Sequence, residues 1–177
     1  MRYLRIAALL AAVLLATLAV LASMQPDVFR VQRSTTIAAP ADKVYALVED
    51  FRRWSAWSPF ETMDPTMRRT FGTPAAGKGA TYAWDSDGKA GAGRMTMVEA
   101  TAPSKVAIAL DFERPLKNHA DVAFTFVPQG DRTVATWSME SRNDIVGKVM
   151  HVFFDAEKLV GDDFARGLAA LKAAAEK

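Results

Sequence analysis

The C-terminal stretch constrains the fold most. Residues 144–177 contain no proline, and apolar side chains recur at steps of three and four: Ile145, Val149, Val152 and Phe153, Ala156, Val160, Phe164, Leu168 and Leu171. That spacing places them on one side of a helix. At about 1.5 Å per residue, a helix of some thirty residues spans roughly 45 Å. Asn143 or Asp144 suits its start, because a short side-chain oxygen accepts from free first-turn amides. Lys172 and Lys177 suit its negative end. Such a helix needs a broad apolar partner. Met150 and Phe154 fall towards the flank of the stripe, with Lys148, His151, Asp155 and Lys158 on the polar side. A bend near Gly161, where helix propensity is poor, would bring both halves onto the core. The alternative is that Met150 and Phe154 line a cavity or touch a membrane or a partner.

The middle of the chain supplies the broad partner. Residues 28–38 are rich in Val, Thr and Ile and read as a strand. Ala39-Pro40 opens a short helix, with Pro40 at a first-turn position and Val44, Leu47, Val48 and Phe51 on its apolar face. Trp54 and Trp57 then stack on one helical turn that ends at Pro59. From about residue 67 the period changes to two. Met95 and Met97 share a face; so do Val106, Ile108, Leu110 and Phe112; so do Val122, Phe124 and Phe126; so do Ala135, Trp137 and Met139. Turn signals at residues 85–88, 102–104, 115–118 and 129–131 separate these runs. The pattern predicts one antiparallel meander of about six strands after the first. The fold class is α+β: a curved antiparallel sheet wrapped around a long C-terminal helix.

Ahead of this domain, residues 6–24 carry no charge. About 20 such residues cross a bilayer as a helix. A cleaved signal peptide, with a shorter apolar region of about 7–15 residues, is the competing reading. The expected division is residues 1–26 as an anchor or signal peptide and 27–177 as the domain. Arg2 and Arg5 would hold the N-terminus in the cytoplasm, with the domain on the far, periplasmic or extracellular side, or secreted if the segment is cleaved. Beyond that segment, Lys and Arg number 20 against 20 Asp and Glu, so the formal charge of +2 marks no basic patch. Nucleic acid is not an expected partner. No cysteine is present, which removes disulfides, thiol nucleophiles and thiolate metal sites.

Three segments together carry a resemblance: Ala39-Pro40-Ala41-Asp42-Lys43-Val44-Tyr45, then Trp54-x-x-Trp57-Ser58-Pro59-Phe60, then Gly161-Asp162-Asp163-Phe164-Ala165-Arg166-Gly167-Leu168-Ala169-Ala170-Leu171-Lys172. In order and spacing the chain resembles the START-like helix-grip superfamily (SRPBCC), in its polyketide cyclase/dehydrase-like branch, over about residues 30–175. The resemblance implies a deep apolar cavity for a lipid, quinone, sterol or polyketide-like molecule. It implies no single activity, since members include carriers, sensors and enzymes.

No motif carries chemistry by itself. Gly72-Thr73-Pro74-Ala75-Ala76-Gly77-Lys78-Gly79 falls short of a phosphate-binding loop, because Gly79 stands where Ser or Thr must hold Mg²⁺ and a strand follows. His119 and His151 fit no metal-ligand spacing, and His151 with Asp155 one turn on reads as a solvated pair. Asp111, Glu113 and Arg114 read as a solvated strand edge. No catalytic residue, metal or cofactor is expected. The candidate cavity-lining residues are Trp54, Trp57, Phe60, Trp84, Met95, Met97, Phe112, Phe124, Trp137, Met139 and Phe153, since flat rings and thioethers adapt to apolar ligands. The expected function is non-catalytic binding or transport of a hydrophobic small molecule by a membrane-tethered domain. A polyketide cyclase/dehydrase-type enzyme is the alternative; it requires a buried His, Glu or Asp at the cavity wall.

Overall fold

The computed structural model describes residues 2–88 and 90–177. The side chains of Arg2, Ala8 and His151 lie outside that description, and with them the expected pairing of His151 with Asp155. The alternating apolar runs become strands. β1 (Val28–Ile37) is followed by α2 (Ala41–Val48), two 3₁₀ turns (Phe51–Ala56 and Pro59–Thr62), and β2 (Arg68–Phe71). Next come β3 (Thr81–Asp85), β4 (Ala92–Thr101), β5 (Lys105–Arg114), β6 (Asn118–Gln129) and β7 (Arg132–Arg142). The apolar N-terminal segment is α1 (Arg2–Ser23). The seven strands form one antiparallel sheet in the order β1-β7-β6-β5-β4-β3-β2, so β1 closes the meander by pairing with the last strand. The glycine-rich segment 72–79 is the connection from β2 to β3.

Register keeps the apolar sets on one inner face. Trp137 lies opposite Phe124, Phe124 opposite Val106, Val122 opposite Ile108, and Met95 opposite both Tyr82 and Leu110. α2 covers the β5–β7 part of this face, and its buried side is Ala41, Val44, Tyr45 and Val48. Pro40 stands one position earlier than expected, as the N-cap of α2 with extended backbone. Pro59 opens the second 3₁₀ turn rather than ending the first.

The C-terminal segment departs from its sequence pattern. It forms two helices, α3 (Ile145–Phe153) and α4 (Ala156–Ala175), separated at Phe154, whose backbone is extended at φ −131 and ψ 134. Asp144 caps α3 by accepting from the Gly147 amide at 2.8 Å, and Asp155 restarts the helix by accepting from the Lys158 amide at 3.0 Å. The break is therefore at Phe154–Asp155 and not at Gly161, which lies within α4. Gly161 serves close approach: any side chain there would run into the guanidinium of Arg33. Only α4 lies on the sheet, mainly along β1, with Phe164, Leu168 and Leu171 buried. α3 packs instead against α1.

Gly167 shows how closely α4 sits. A Cβ there would come 2.7 Å from Cζ3 of Trp137 and 3.0 Å from Cδ of Pro59. Gly167→Ala gains about 1 kcal/mol of helix propensity, while overpacking costs about 1–3 kcal/mol. The variant is expected to unfold at lower urea than the parent. A higher midpoint would mean that the Trp137 ring moves aside freely.

Candidate functional site

The inner face divides into a sealed part and an open end. In the sealed part aromatic rings occupy the space under α4. Phe164 stacks on Trp137 with centroids 4.0 Å apart and planes 9° apart, and Trp137 meets Phe124 at 4.9 Å and Trp57 at 5.7 Å. Trp54 and Trp57 pack 4.9 Å apart, held by indole hydrogen bonds to the Val48 and Leu47 carbonyls. Trp54, Trp57, Met97, Phe124 and Trp137 are all buried here. They belong to the buried hydrophobic core. Two polar atoms in this region are buried without a hydrogen-bond partner: the Trp137 indole Nε1 and the Ser58 hydroxyl.

The open end collects the other candidates. Phe60 on the second 3₁₀ turn, Trp84 on β3, Phe112 on β5 and Met139 on β7 are half-buried. Leu110 on β5 and Val160 on α4 join them, both partly buried against the core. Met95, 9% exposed, lies between β3 and β5 at the same level. Trp84 meets Phe112 edge-on at 5.9 Å, and Phe60 meets Trp137 edge-on at 6.1 Å. Together these side chains make a partly buried apolar floor, to which the second 3₁₀ turn contributes Phe60 and α4 contributes Val160.

Phe153 requires a correction. It is not part of the buried inner face but 62% exposed, because the helix breaks at Phe154 and α3 packs on α1. Met150 and Phe154 also lie at the surface. They line an open groove of about 370 Å³ with Gly147, Ala156 and Leu159. A second groove, about 640 Å³, runs between residues 28–30 of β1 and the α3–α4 elbow, and Phe29 and Phe153 contribute to it.

Sequence reasoning missed the polar border of the floor. Glu61, whose side chain is 7% exposed, accepts from the Tyr82 hydroxyl at 2.7 Å and from Nε of Arg69 at 2.7 Å. Arg69 also donates to the Glu61 carbonyl at 2.6 Å. Burial first, then the adjoining Glu61 carboxylate, pushes the Tyr82 phenol well above its ordinary value. Arg33 borders the opposite side, donating to Glu157 at 2.7 Å. His119 belongs elsewhere, on the outer face. It contacts Asp111 at 2.7 Å, and that hydrogen bond raises its pKa above the usual histidine value. Arg114 pairs with Asp85. Among the described residues, no cluster of three or more His, Asp or Glu could hold a metal ion.

Comparisons with known proteins fit this geometry. Among solved structures, a protein from Chromobacterium violaceum superposes with TM-score 0.59 at 15% identity, covering 86% of this chain and 99% of its own. The di-domain ARO/CYC BexL from the BE-7585A biosynthetic pathway gives TM-score 0.63 at 15% identity, over 90% of this chain and 53% of that one. The Aha1 dimer from Colwellia psychrerythraea gives TM-score 0.59 at 14% identity, over 84% and 94%. These likenesses show the fold. No curated protein sequence matches the chain. The family described as "Polyketide cyclase / dehydrase and lipid transport" matches residues 28–176, which is the whole sheet together with α2, α3 and α4. The chain therefore belongs to the polyketide cyclase/dehydrase and lipid transport family.

Proposed function

We propose that the chain binds a hydrophobic small molecule at the open end of its inner sheet face, while α1 tethers it to a membrane. The observation that carries this reading is the group Phe60, Trp84, Leu110, Phe112 and Met139, left only partly buried beside a fully buried aromatic core. Covering apolar surface yields roughly 25 cal/mol per Å² before the costs of association. The Glu61–Tyr82 pair and Arg33 provide polar groups at the border, the usual means of orienting a ligand in such a site. The groove beside Phe29 and Phe153 supports a route from the surface near α1 to the β1 side of the same face. α1 supplies the tether in this reading: Tyr3–Ser23 is 21 residues long, apolar and exposed.

Native mass spectrometry with lipid extraction of the purified full chain, followed by titration with fluorescent fatty-acid and quinone analogues, tests the reading. Saturable binding is expected, weakened about tenfold or more in Phe112→Ser, because one lost aromatic contact of about 1.4 kcal/mol is a factor of ten. No co-purifying apolar molecule together with no saturable binding would overturn it.

Glu61 favours a second reading, a cyclase/dehydrase-type enzyme, because it is a buried carboxylate at the wall of the site. Both of its oxygens already accept hydrogen bonds, one from Tyr82 and one from Arg69. That arrangement suits a clamp between the second 3₁₀ turn and the β2–β3 hairpin better than a base awaiting a substrate proton.

A further inference from the structure

We propose that α3 and the α3–α4 elbow form a lipid-facing pad, immersed in the interface of the same bilayer that α1 enters. The proposal rests on the tether reading of α1 given above.

The surface of α3 is unlike that of the rest of the domain. Ile145 is 75% exposed, Phe153 62%, Phe154 52% and Met150 46%. A helix on a domain surface normally turns a charged face to water. Lys148 is the one charged residue of α3, and its ammonium is taken up by Asp27, whose pKa the contact lowers. Asp144, ahead of the helix, is engaged as its cap. Among the described side chains, α3 therefore presents apolar groups to its surroundings with no free charge between them. Contiguous exposed apolar surface of this kind marks an interaction site.

The partner is identified by position. The Asn143 amide donates to the Asp27 carbonyl at 2.9 Å, and its Nδ2 donates to the Pro26 carbonyl at 3.0 Å. These bonds fix the start of α3 just beyond the end of α1. α3 then packs on α1, where Ala22 is buried while most of α1 is exposed. If α1 crosses a bilayer, α3 lies where its apolar span meets water. The groove of Gly147, Met150, Phe154, Ala156 and Leu159 opens on the same surface, with a volume of about 370 Å³. Its apolar lining suits an acyl chain. Aqueous surroundings would leave this surface unmatched, whereas an interfacial helix typically buries its apolar side about 5–10 Å into the headgroup/acyl boundary.

The chain has no cysteine, so single-cysteine labels report unambiguously. The full chain is reconstituted in phosphatidylcholine–phosphatidylglycerol vesicles with a nitroxide at Ile145→Cys, Phe153→Cys, Leu14→Cys or Val127→Cys. Val127 lies near the β6–β7 hairpin, at the end of the sheet away from α3. Collision with oxygen and with a water-soluble nickel chelate is measured for each. The expected result is an oxygen-favoured signal at Ile145 and Phe153, about 5–10 Å deep, a deeper one at Leu14, and an aqueous one at Val127. Aqueous signals at Ile145 and Phe153 with a lipid signal at Leu14 would overturn the pad and leave the tether standing. An aqueous signal at Leu14 as well would overturn both. Exclusion of both probes at Ile145 and Phe153 would mean that protein covers the surface, a second copy or another chain, and would also overturn the proposal.

Discussion

Trp137→Ala is expected to destabilise the domain by about 3–5 kcal/mol, the cost of removing a large buried aromatic side chain. Its ring is 3% exposed and is shared by Phe164 on α4, Phe124 on β6, Trp57 on the first 3₁₀ turn and Phe60 on the second. One truncation thus loosens the contacts that hold α4 to the sheet. Trp137→Phe is expected to cost much less. It keeps a ring against Phe164 and removes an indole N–H that is buried without a partner, a state that itself costs about 1–3 kcal/mol. Urea denaturation of the three proteins gives the comparison. If Trp137→Phe is as damaging as Trp137→Ala, that N–H has an acceptor, and the sealed part of the inner face is not sealed. If Trp137→Phe leaves stability alone but lowers affinity for an apolar ligand, the ligand reaches deeper than the Phe60–Phe112 floor.

The contrast between sealed and open parts bears on what the sequence could reveal. Strand faces were legible because a period of two has one reading: Met95, Leu110, Val122 and Met139 all fall on the inner face by alternation alone. The C-terminal helix was only half legible. Apolar spacing runs unbroken from Ile145 through Phe164, yet two different surroundings satisfy it. Phe164 is buried against the sheet, while Ile145 and Phe153 are mostly exposed. Periodicity reports that a face is apolar and is silent about what covers it. Asp155 was the available signal for the break, an acidic residue three before Lys158 in a position to cap a new helix. The order and spacing of three segments, residues 39–45, 54–60 and 161–172, pointed to the fold, but they did not separate core from floor. Trp57 and Phe60 are close neighbours in sequence, and only the first is buried. Glu61 escaped notice for a different reason: its partners stand 8 and 21 residues away, so no local pattern announces the cluster.

That cluster gives the second large effect. Glu61→Ala removes the acceptor of both the Tyr82 hydroxyl and the Arg69 guanidinium, and leaves the two donors in a mostly buried site. An unsatisfied buried donor costs about 1–3 kcal/mol, and more when it is charged, so the variant is expected to lose at least that much at neutral pH. Glu61→Ala with Arg69→Met in a double-mutant cycle is expected to be less damaging than the sum of the singles, since the second change removes the stranded charge. Tyr82 adds a pH signature. Its folded-state pKa is raised by burial and by Glu61. The stability linked to the neutral phenol is fully present below about pH 10, the value of a free tyrosine. It is lost as pH climbs from there through the folded-state value, because the unfolded chain releases its proton first. Tyr82→Phe is expected to flatten that alkaline loss relative to the parent while leaving the acid side unchanged. Equal alkaline slopes in the two proteins would show that Tyr82 is wetter than its hydrogen bond to Glu61 implies. Loss of ligand affinity in Tyr82→Phe without loss of stability would instead assign the hydroxyl to the bound molecule, and would move Glu61 from clamp to working part of the site.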